Sequence, residues 1–444
     1  MSHTHTTDPA GFSRGLAQIA TGRRTLLKVG AAGIAVSAAA QAAGARPAAA
    51  ASTAKRCYVL VLDGTRPEEL DLGITPTLTA LRDAGTRYPR AVSQPIMETI
   101  PNHVMMMTGV HPDRNGVPAN TIYDPTTGAT RDADDRDLAA GLAASKGATI
   151  LAQLDARGLR TGTVLSKTYL YNAFLGQATY QWEPTLTLPI TNHEVDALTM
   201  PAAISMIKAQ DPHLLFINLG DIDRFGHADL SAGLTEFLTG GTSLPVVRRL
   251  VLGSTDQVVK QFVTALKSTG HWDDALVIVL ADHSMDWSAA QNVVSLTSVF
   301  TKDSTLKGRF QIADNGGADL IYWTGPASAK TAGLAAMRAA AEATKGVLSV
   351  HTPAELRLGA AGGDLVAYAR AGWRFSDPTL VSNPIPGNHG HPTTRPIPFF
   401  LTGGAVANAA VRSELASTLD VAPTIGAYFG VGAPAGGWEG RSRL

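Results

Sequence analysis

The run RCYVLVLD, residues 56–63, holds six consecutive apolar residues, Cys57 to Leu62, and stops at a carboxylate, Asp63. A short run with no polar alternation reads as a strand buried on both faces, the pattern of a parallel sheet covered by helices. The same form recurs. LLFINLGDIDRFGH, residues 214–227, leaves its apolar run for Asp223 and His227, and ALVIVLADH, residues 275–283, ends on Asp282 and His283. His389, in GNHGHP, stands just ahead of a fourth run, IPFFLTGG, residues 397–404. Three carboxylates and three imidazoles therefore fall where buried strands open into loops.

Between these runs lie helical patterns such as TPTLTALRDAG, residues 75–85, and GATILAQLDARG, residues 147–158. The alternation predicts an α/β fold with a mainly parallel central sheet and helices on both faces. In such sheets the active site lies beyond the carboxyl ends of the strands, where Asp63, Asp223, Asp282 and His283 fall. Two stretches read as insertions. Residues 168–200 include the weakly periodic WEPTLTLPITNHE; residues 284–388 include a strand-like DLIYWTG and an Ala-rich helical LAAMRAAAEATKG. The second would form a cap subdomain separating Asp282 and His283 from His389. No internal repeat is present.

Mixed carboxylate and imidazole donors in this number suit Zn²⁺, with Mn²⁺ or Fe as alternatives, and two ions better than one. A two-metal site points to in-line displacement at phosphorus. Grouping six costly polar side chains at strand ends serves no packing purpose. In SQPIMETIPNHVMMMTGV, Thr99 precedes Pro101 and an apolar segment, the pattern of a helix start. On its own Thr99 would be a cap. Beside metal ligands and a helix N-terminus, which attracts phosphate, its hydroxyl becomes a candidate nucleophile.

The chain has 444 residues, 45% hydrophobic and 17% charged, with a formal net charge of zero. It is a core-forming globular sequence, and no basic excess marks a nucleic-acid-binding surface. The N-terminus differs in kind. Arg23 and Arg24, then Leu26, Leu27 and Lys28, precede the Ala-rich run AAGIAVSAAAQAAGA, which predicts a twin-arginine export signal over residues 1–45. Ala43-Gly44-Ala45 offers the cleavage site, with Ala49 to Ala51 as an alternative, and residues 46–55 form an Ala/Pro linker. The apolar run is too short to span a bilayer, so the expectation is export without a stable anchor, into extracellular, periplasmic or cell-wall space. Loss of Arg14, Arg23, Arg24, Lys28 and Asp8 with the signal would leave a net charge of −3. Cys57 is the single cysteine, so no internal disulfide forms, and its place in an apolar run predicts a buried thiol.

The segments VLDGTRPEEL, METIPNHVMMMTGVHPDRNGV with ANTIYDP, GDIDRFGH, ADHSM and GNHG together resemble the alkaline phosphatase superfamily, and within it the type I phosphodiesterase/nucleotide pyrophosphatase family. The tail LDVAPTIGAYFGVGAPAGGWEGRSRL is similar to that superfamily's ending, so the resemblance covers residues 56–444. It implies an alkaline-phosphatase-like sandwich and two zinc ions. One would be held by Asp63, Thr99, Asp282 and His283, the other by Asp223, His227 and His389. Thr99 would attack phosphorus and form a phospho-threonine. Asn120 would be a catalytic and substrate-binding hydrogen-bond donor to a phosphoryl oxygen, or else a turn residue before Tyr123-Asp124-Pro125. The family pattern favours His389 over His391, and Asp223 over Asp221. His103 would make contacts within its helix, and His111 and His351 would lie in loops or at the surface.

Lys167 and Tyr169, in VLSKTYLYN, are the expected substrate contacts. Related phosphomonoesterases carry a Lys-x-Arg pair here and phosphonoacetate hydrolases a Lys-x-Lys pair. This chain keeps the first base and has tyrosine in the second position, unless Lys167 is a solvated loop residue. A single cation suits a singly charged diester, so the favoured expectation is a phosphodiesterase or nucleotide pyrophosphatase of small phosphate esters. A phosphomonoesterase and a phosphonoacetate-type hydrolase are the alternatives. Threonine argues against a formylglycine sulfatase, and export together with threonine in place of serine argues against a cytosolic cofactor-independent phosphoglycerate mutase. A reading from another class is an inactive exported metal- or phosphate-binding protein.

Overall fold

A computed structural model of the chain describes residues 55–188, 192–228, 246–289, 291–377, 387–406 and 409–444. The predicted export signal and all but the last residue of the linker lie outside them. Eight strands form the main sheet: β1 (Arg56–Leu62), β2 (Thr86–Arg87), β3 (Thr161–Leu165), β4 (Tyr180–Trp182), β5 (Leu214–Leu219), β6 (Ala275–Leu280), β7 (Phe399–Thr402) and β8 (Ala410–Val411). Their order is β8-β2-β7-β6-β1-β5-β3-β4. The five strands from β6 to β4 run parallel, and β7 joins β6 antiparallel. Because β7 points the other way, its amino end lies at the edge where the parallel strands finish. That brings the segment carrying His389 to the same rim as Asp63 and Asp282.

The apolar runs pack as their period of two dictates. Cys57, Val59 and Val61 face one layer, with Val104, Met107, Leu151 and Ile425. Tyr58, Leu60 and Leu62 face the other, with Leu78, Ala203, Val259 and Phe262. All six strand residues are fully buried, and Cys57 is a free buried thiol. Leu60 lies mid-sheet at 0% exposure. Leu60→Ala is therefore expected to lower unfolding free energy by about 2–5 kcal/mol, read as a reduced denaturant midpoint at constant slope.

Residues 168–200 contribute more to the main sheet than an insertion would, because Tyr180–Trp182 is its edge strand beside β3. Residues 284–388 include a separate four-stranded antiparallel sheet, built from Phe310–Asn315, Ala318–Trp323, Leu365–Ala369 and Val347–His351 in that order. The helix Lys330–Glu342 covers one face of it through Met337 and Ala341.

The helices that matter for the site are α1 (Thr99–Thr108), α2 (Asp196–Gln210) and α3 (Asp221–Ala228). Thr99 is the first helical residue, and extended Glu98 takes the N-cap place expected for it. Asn102 braces the entry: its Nδ2 donates to the carbonyls of Gln94, Ile96 and Glu98, and its Oδ1 accepts from Gln94 N–H.

Candidate active site

Each sequence-predicted ligand sits at the carboxyl rim of the sheet, held by the element before it. Asp63 continues the β1 ladder, its N–H donating to Leu219 O at 3.1 Å. Its Oδ2 accepts from Asn218 Nδ2 at 2.7 Å and pairs with Lys167 Nζ at 2.8 Å. Asp282 Oδ1 accepts from the backbone N–H groups of Gly64 and His283. Asp223, on the first turn of α3, pairs through Oδ2 with Lys167 Nζ at 2.8 Å. Each carboxylate thus has one oxygen tied to protein. The other oxygens, Asp63 Oδ1, Asp223 Oδ1 and Asp282 Oδ2, are buried and without a hydrogen-bond partner among the described residues.

The imidazoles face these open oxygens. His283 Nδ1 donates to Ser284 O at 2.9 Å, leaving Nε2 as the acceptor nitrogen. That nitrogen is 3.4 Å from Asp282 Oδ2, 3.7 Å from Asp63 Oδ1 and 3.4 Å from Thr99 Oγ1. His227 Nδ1 likewise donates to Gly387 O, and its Nε2 is 3.3 Å from Asp223 Oδ1. His389 Nε2 lies 3.7 Å from the same oxygen, and its ring stacks on His283 at 3.8 Å. Asp223, His283 and His389 bring ligand atoms within 4.8 Å of one another, as do Asp63, His103 and Asp282.

His103 is close enough to be a ligand, but both its nitrogens are committed. Nδ1 donates to Thr99 O at 2.8 Å, and Nε2 accepts from Asn218 Nδ2 at 3.0 Å. Burial lowers it to about 4, keeping the ring neutral. His391 pairs with Asp286 at 2.9 Å, Asp221 with His193 at 2.8 Å, and His111 with Glu439 at 2.6 Å. His351 is partly buried at the end of its strand, beside Ser349.

Thr99 is fully buried at the head of α1, its Oγ1 3.2 Å from Lys167 Nζ. Asn120 is oriented by its neighbours. Its Oδ1 accepts from Ile100 N–H at 2.7 Å, and its own N–H donates to Glu98 Oε2 at 2.8 Å. The amide NH₂, which no described residue engages, is left for the cleft that Asn120 lines. That cleft measures about 390 Å³ and is also bordered by His227, His389, Tyr169 and Arg224. Burial pushes the Glu98 carboxyl up to about 8 despite the Asn120 N–H.

Lys167 is no solvated residue: it is completely buried between Asp63 and Asp223. Burial alone would lower its pKa, but the Asp223 and Asp63 carboxylates outweigh that and hold the ammonium above an ordinary lysine. Two further residues escaped sequence reading. Asn218 stands out only as the lone polar residue of the β5 run, and Arg224 as a charge set between ligand positions.

The sheet order, the rim of acids and imidazoles and the helix-heading threonine make up an alkaline-phosphatase-like fold. A solved structure of murine ectonucleotide pyrophosphatase / phosphodiesterase 5 matches with TM-score 0.68 and 18% identity, covering 85% of this chain and 96% of that one. An inactive variant of the same murine protein, solved in complex with AMP, matches equally. The family model for type I phosphodiesterase / nucleotide pyrophosphatase matches residues 58–391, and the chain belongs to that family. An uncharacterized pyrophosphatase/phosphodiesterase of Schizosaccharomyces pombe is 36% identical over 70 residues, 16% of this chain and 14% of that protein. Ectonucleotide pyrophosphatase/phosphodiesterase family member 3 of Mus musculus is 25% identical over 258 residues, 54% of this chain and 26% of that protein. The chain therefore spans about a quarter or less of the length of these curated relatives.

Proposed function

We propose that this protein is an exported, zinc-dependent hydrolase of phosphate esters, a phosphodiesterase or nucleotide pyrophosphatase working through a phospho-threonine at Thr99. The observation that carries it is the set of half-satisfied carboxylates. A buried acceptor without a partner costs about 1–3 kcal/mol, and three of them facing imidazole Nε2 atoms fit divalent cations. Asp63, Thr99, Asp282 and His283 would hold one ion, and Asp223, His227 and His389 the other. When bound, the ions supply Lewis acidity toward phosphoryl oxygens and the Thr99 hydroxyl.

The chain's own groups do the rest. Lys167 donates to Thr99 Oγ1 and favours its ionised form. The Asn120 amide and the N-terminal end of α1 would receive negative charge developing on the phosphoryl group. Gly64 N–H, His283 N–H and Asn218 fix the ligand carboxylates, so the site is oriented before substrate arrives. Family membership and the AMP complex of the murine neighbour support a nucleotide-like phosphate ester. Arg23 and Arg24 support twin-arginine export, and relatives carry the name ectonucleotide pyrophosphatase. No helix among the described residues is long and apolar enough to cross a membrane.

The test is kinetics of the zinc-loaded mature protein on bis-p-nitrophenyl phosphate, p-nitrophenyl phosphate and phosphonoacetate. A kcat/KM favouring the diester by about a hundredfold is expected. Preference for the monoester or phosphonate would replace this reading with one of those activities. Turnover of none would leave only metal or phosphate binding.

A further inference from the structure

Tyr169, two residues after Lys167, lines the cleft and stands beside a second cation, Arg224. Arg224 reaches it from α3. The guanidinium carbon lies 5.2 Å from the Tyr169 ring centroid, and Nη2 donates to the Tyr169 hydroxyl at 2.8 Å. The side chain is about one-fifth exposed, lines the cleft, and lies next in sequence to Asp223. Its one ion-pair contact among the described residues is Nε to Asp223 Oδ2 at 3.8 Å, beyond hydrogen-bond distance. No described residue accepts from Nε or Nη1, and Nε is buried. Lys167, by contrast, already has both carboxylates and the Thr99 hydroxyl as partners. Arg224 Nε and Lys167 Nζ face the same oxygen, Asp223 Oδ2, at 3.8 and 2.8 Å, and Lys167 Nζ lies 3.2 Å from Thr99 Oγ1, so the arginine borders the cleft on the Asp223 side of the site.

An arginine stacked on a tyrosine with donors left over is built to grip an oxyanion, and a buried donor without an acceptor is destabilising until a ligand supplies one. We propose that Arg224, positioned by Tyr169, determines specificity by binding a second negative charge of the substrate next to the reacting phosphorus. Under the diester reading that charge is carried by the neighbouring phosphate of a pyrophosphate-linked diester; a charge carried by a phosphomonoester dianion would overturn that reading. The inference rests on the phosphate-ester reading of the site and names the substrate charge that the site selects.

The test compares Arg224→Gln, Arg224→Lys and Tyr169→Phe with the parent chain, all metal-loaded and with matched metal content. Substrates are bis-p-nitrophenyl phosphate, p-nitrophenyl phosphate and diadenosine diphosphate. For Arg224→Gln, the ratio of kcat/KM on a doubly charged substrate to that on bis-p-nitrophenyl phosphate should fall about 10- to 100-fold. Which of the two ratios falls tells where the second charge sits. Arg224→Lys should recover part of the loss. Tyr169→Phe should shift the same ratio less, and should add nothing to Arg224→Gln. Ratios unchanged within about threefold for both doubly charged substrates would overturn the proposal. Calorimetric binding of methyl phosphate, dimethyl phosphate and P1,P2-dimethyl pyrophosphate to the Thr99→Ala chain, with and without Arg224→Gln, separates the two readings. A preference for the doubly charged ligands that depends on Arg224 supports the subsite even if the parent turns over no ester. Its absence sinks the subsite while leaving hydrolysis standing.

Discussion

Thr99→Ala is expected to lower kcat/KM on phosphate esters by about 10⁴-fold or more, the scale on which removal of a nucleophile acts. The hydroxyl is fully buried, at the first residue of α1, and touches Lys167 Nζ and His283 Nε2. No second hydroxyl stands among those contacts to take over. The loss should come without unfolding, because the methyl group of alanine fits the same helix position and α1 keeps its Asn102 and Asn120 contacts. Thr99→Ser should retain a measurable fraction of the rate, since it keeps the oxygen and removes a methyl. Three measurements belong together: steady-state rate, zinc per chain, and phosphate trapped on protein by acid quench in a single turnover. Full rate in Thr99→Ala, or trapped phosphate surviving the substitution, would remove Thr99 from the nucleophile role.

Stripping divalent metal with a chelator is expected to abolish turnover and to lower Tm, with zinc restoring both. The physical ground is the convergence of three essentially buried carboxylates, Asp63, Asp223 and Asp282, of which only the first two are paired with the Lys167 ammonium. Burial and neighbouring Asp282 push the Asp63 carboxyl up, whereas at Asp223 burial is outweighed by Lys167 and His227, which hold the carboxyl well below the usual range. A cation that binds only the folded chain stabilises it by about 4 kcal/mol when free metal exceeds Kd a thousandfold. Asp282→Asn should weaken zinc retention and shrink that stabilisation. If the chelated chain kept its Tm and took up no zinc on titration, the two-ion reading would fall and the carboxylates would need another partner.

Asp63, Asp223, Asp282, His227 and His283 were legible because each follows or closes an apolar run. Strand period and burial are properties of a few adjacent residues, so the place where a buried strand stops can be read from letters alone. The three-layer arrangement was legible for the same reason, since residues 57–62 are apolar at odd and even positions alike and must be covered on both faces. The edge strand Tyr180–Trp182 escaped, because its three residues are only partly buried and carry no clear period. Thr99 as a helix start was legible to within one position. Its N-cap proved to be Glu98, held extended by the Asn102 network that composition does not show.

By itself the sequence determined the chemistry available at the rim of the sheet: three carboxylates, three imidazoles and one threonine hydroxyl. Only the tertiary structure decided which of these atoms face one another. It buried Lys167 between two acids, aimed Asn218 at Asp63, turned the Asn120 amide outward, and laid Arg224 across Tyr169. Those pairings join residues 55 or more positions apart in four of the five contacts, across β1, β3, β5 and α3. They follow from the order and direction of strands, which is set by how whole layers pack and not by the local period of any one of them.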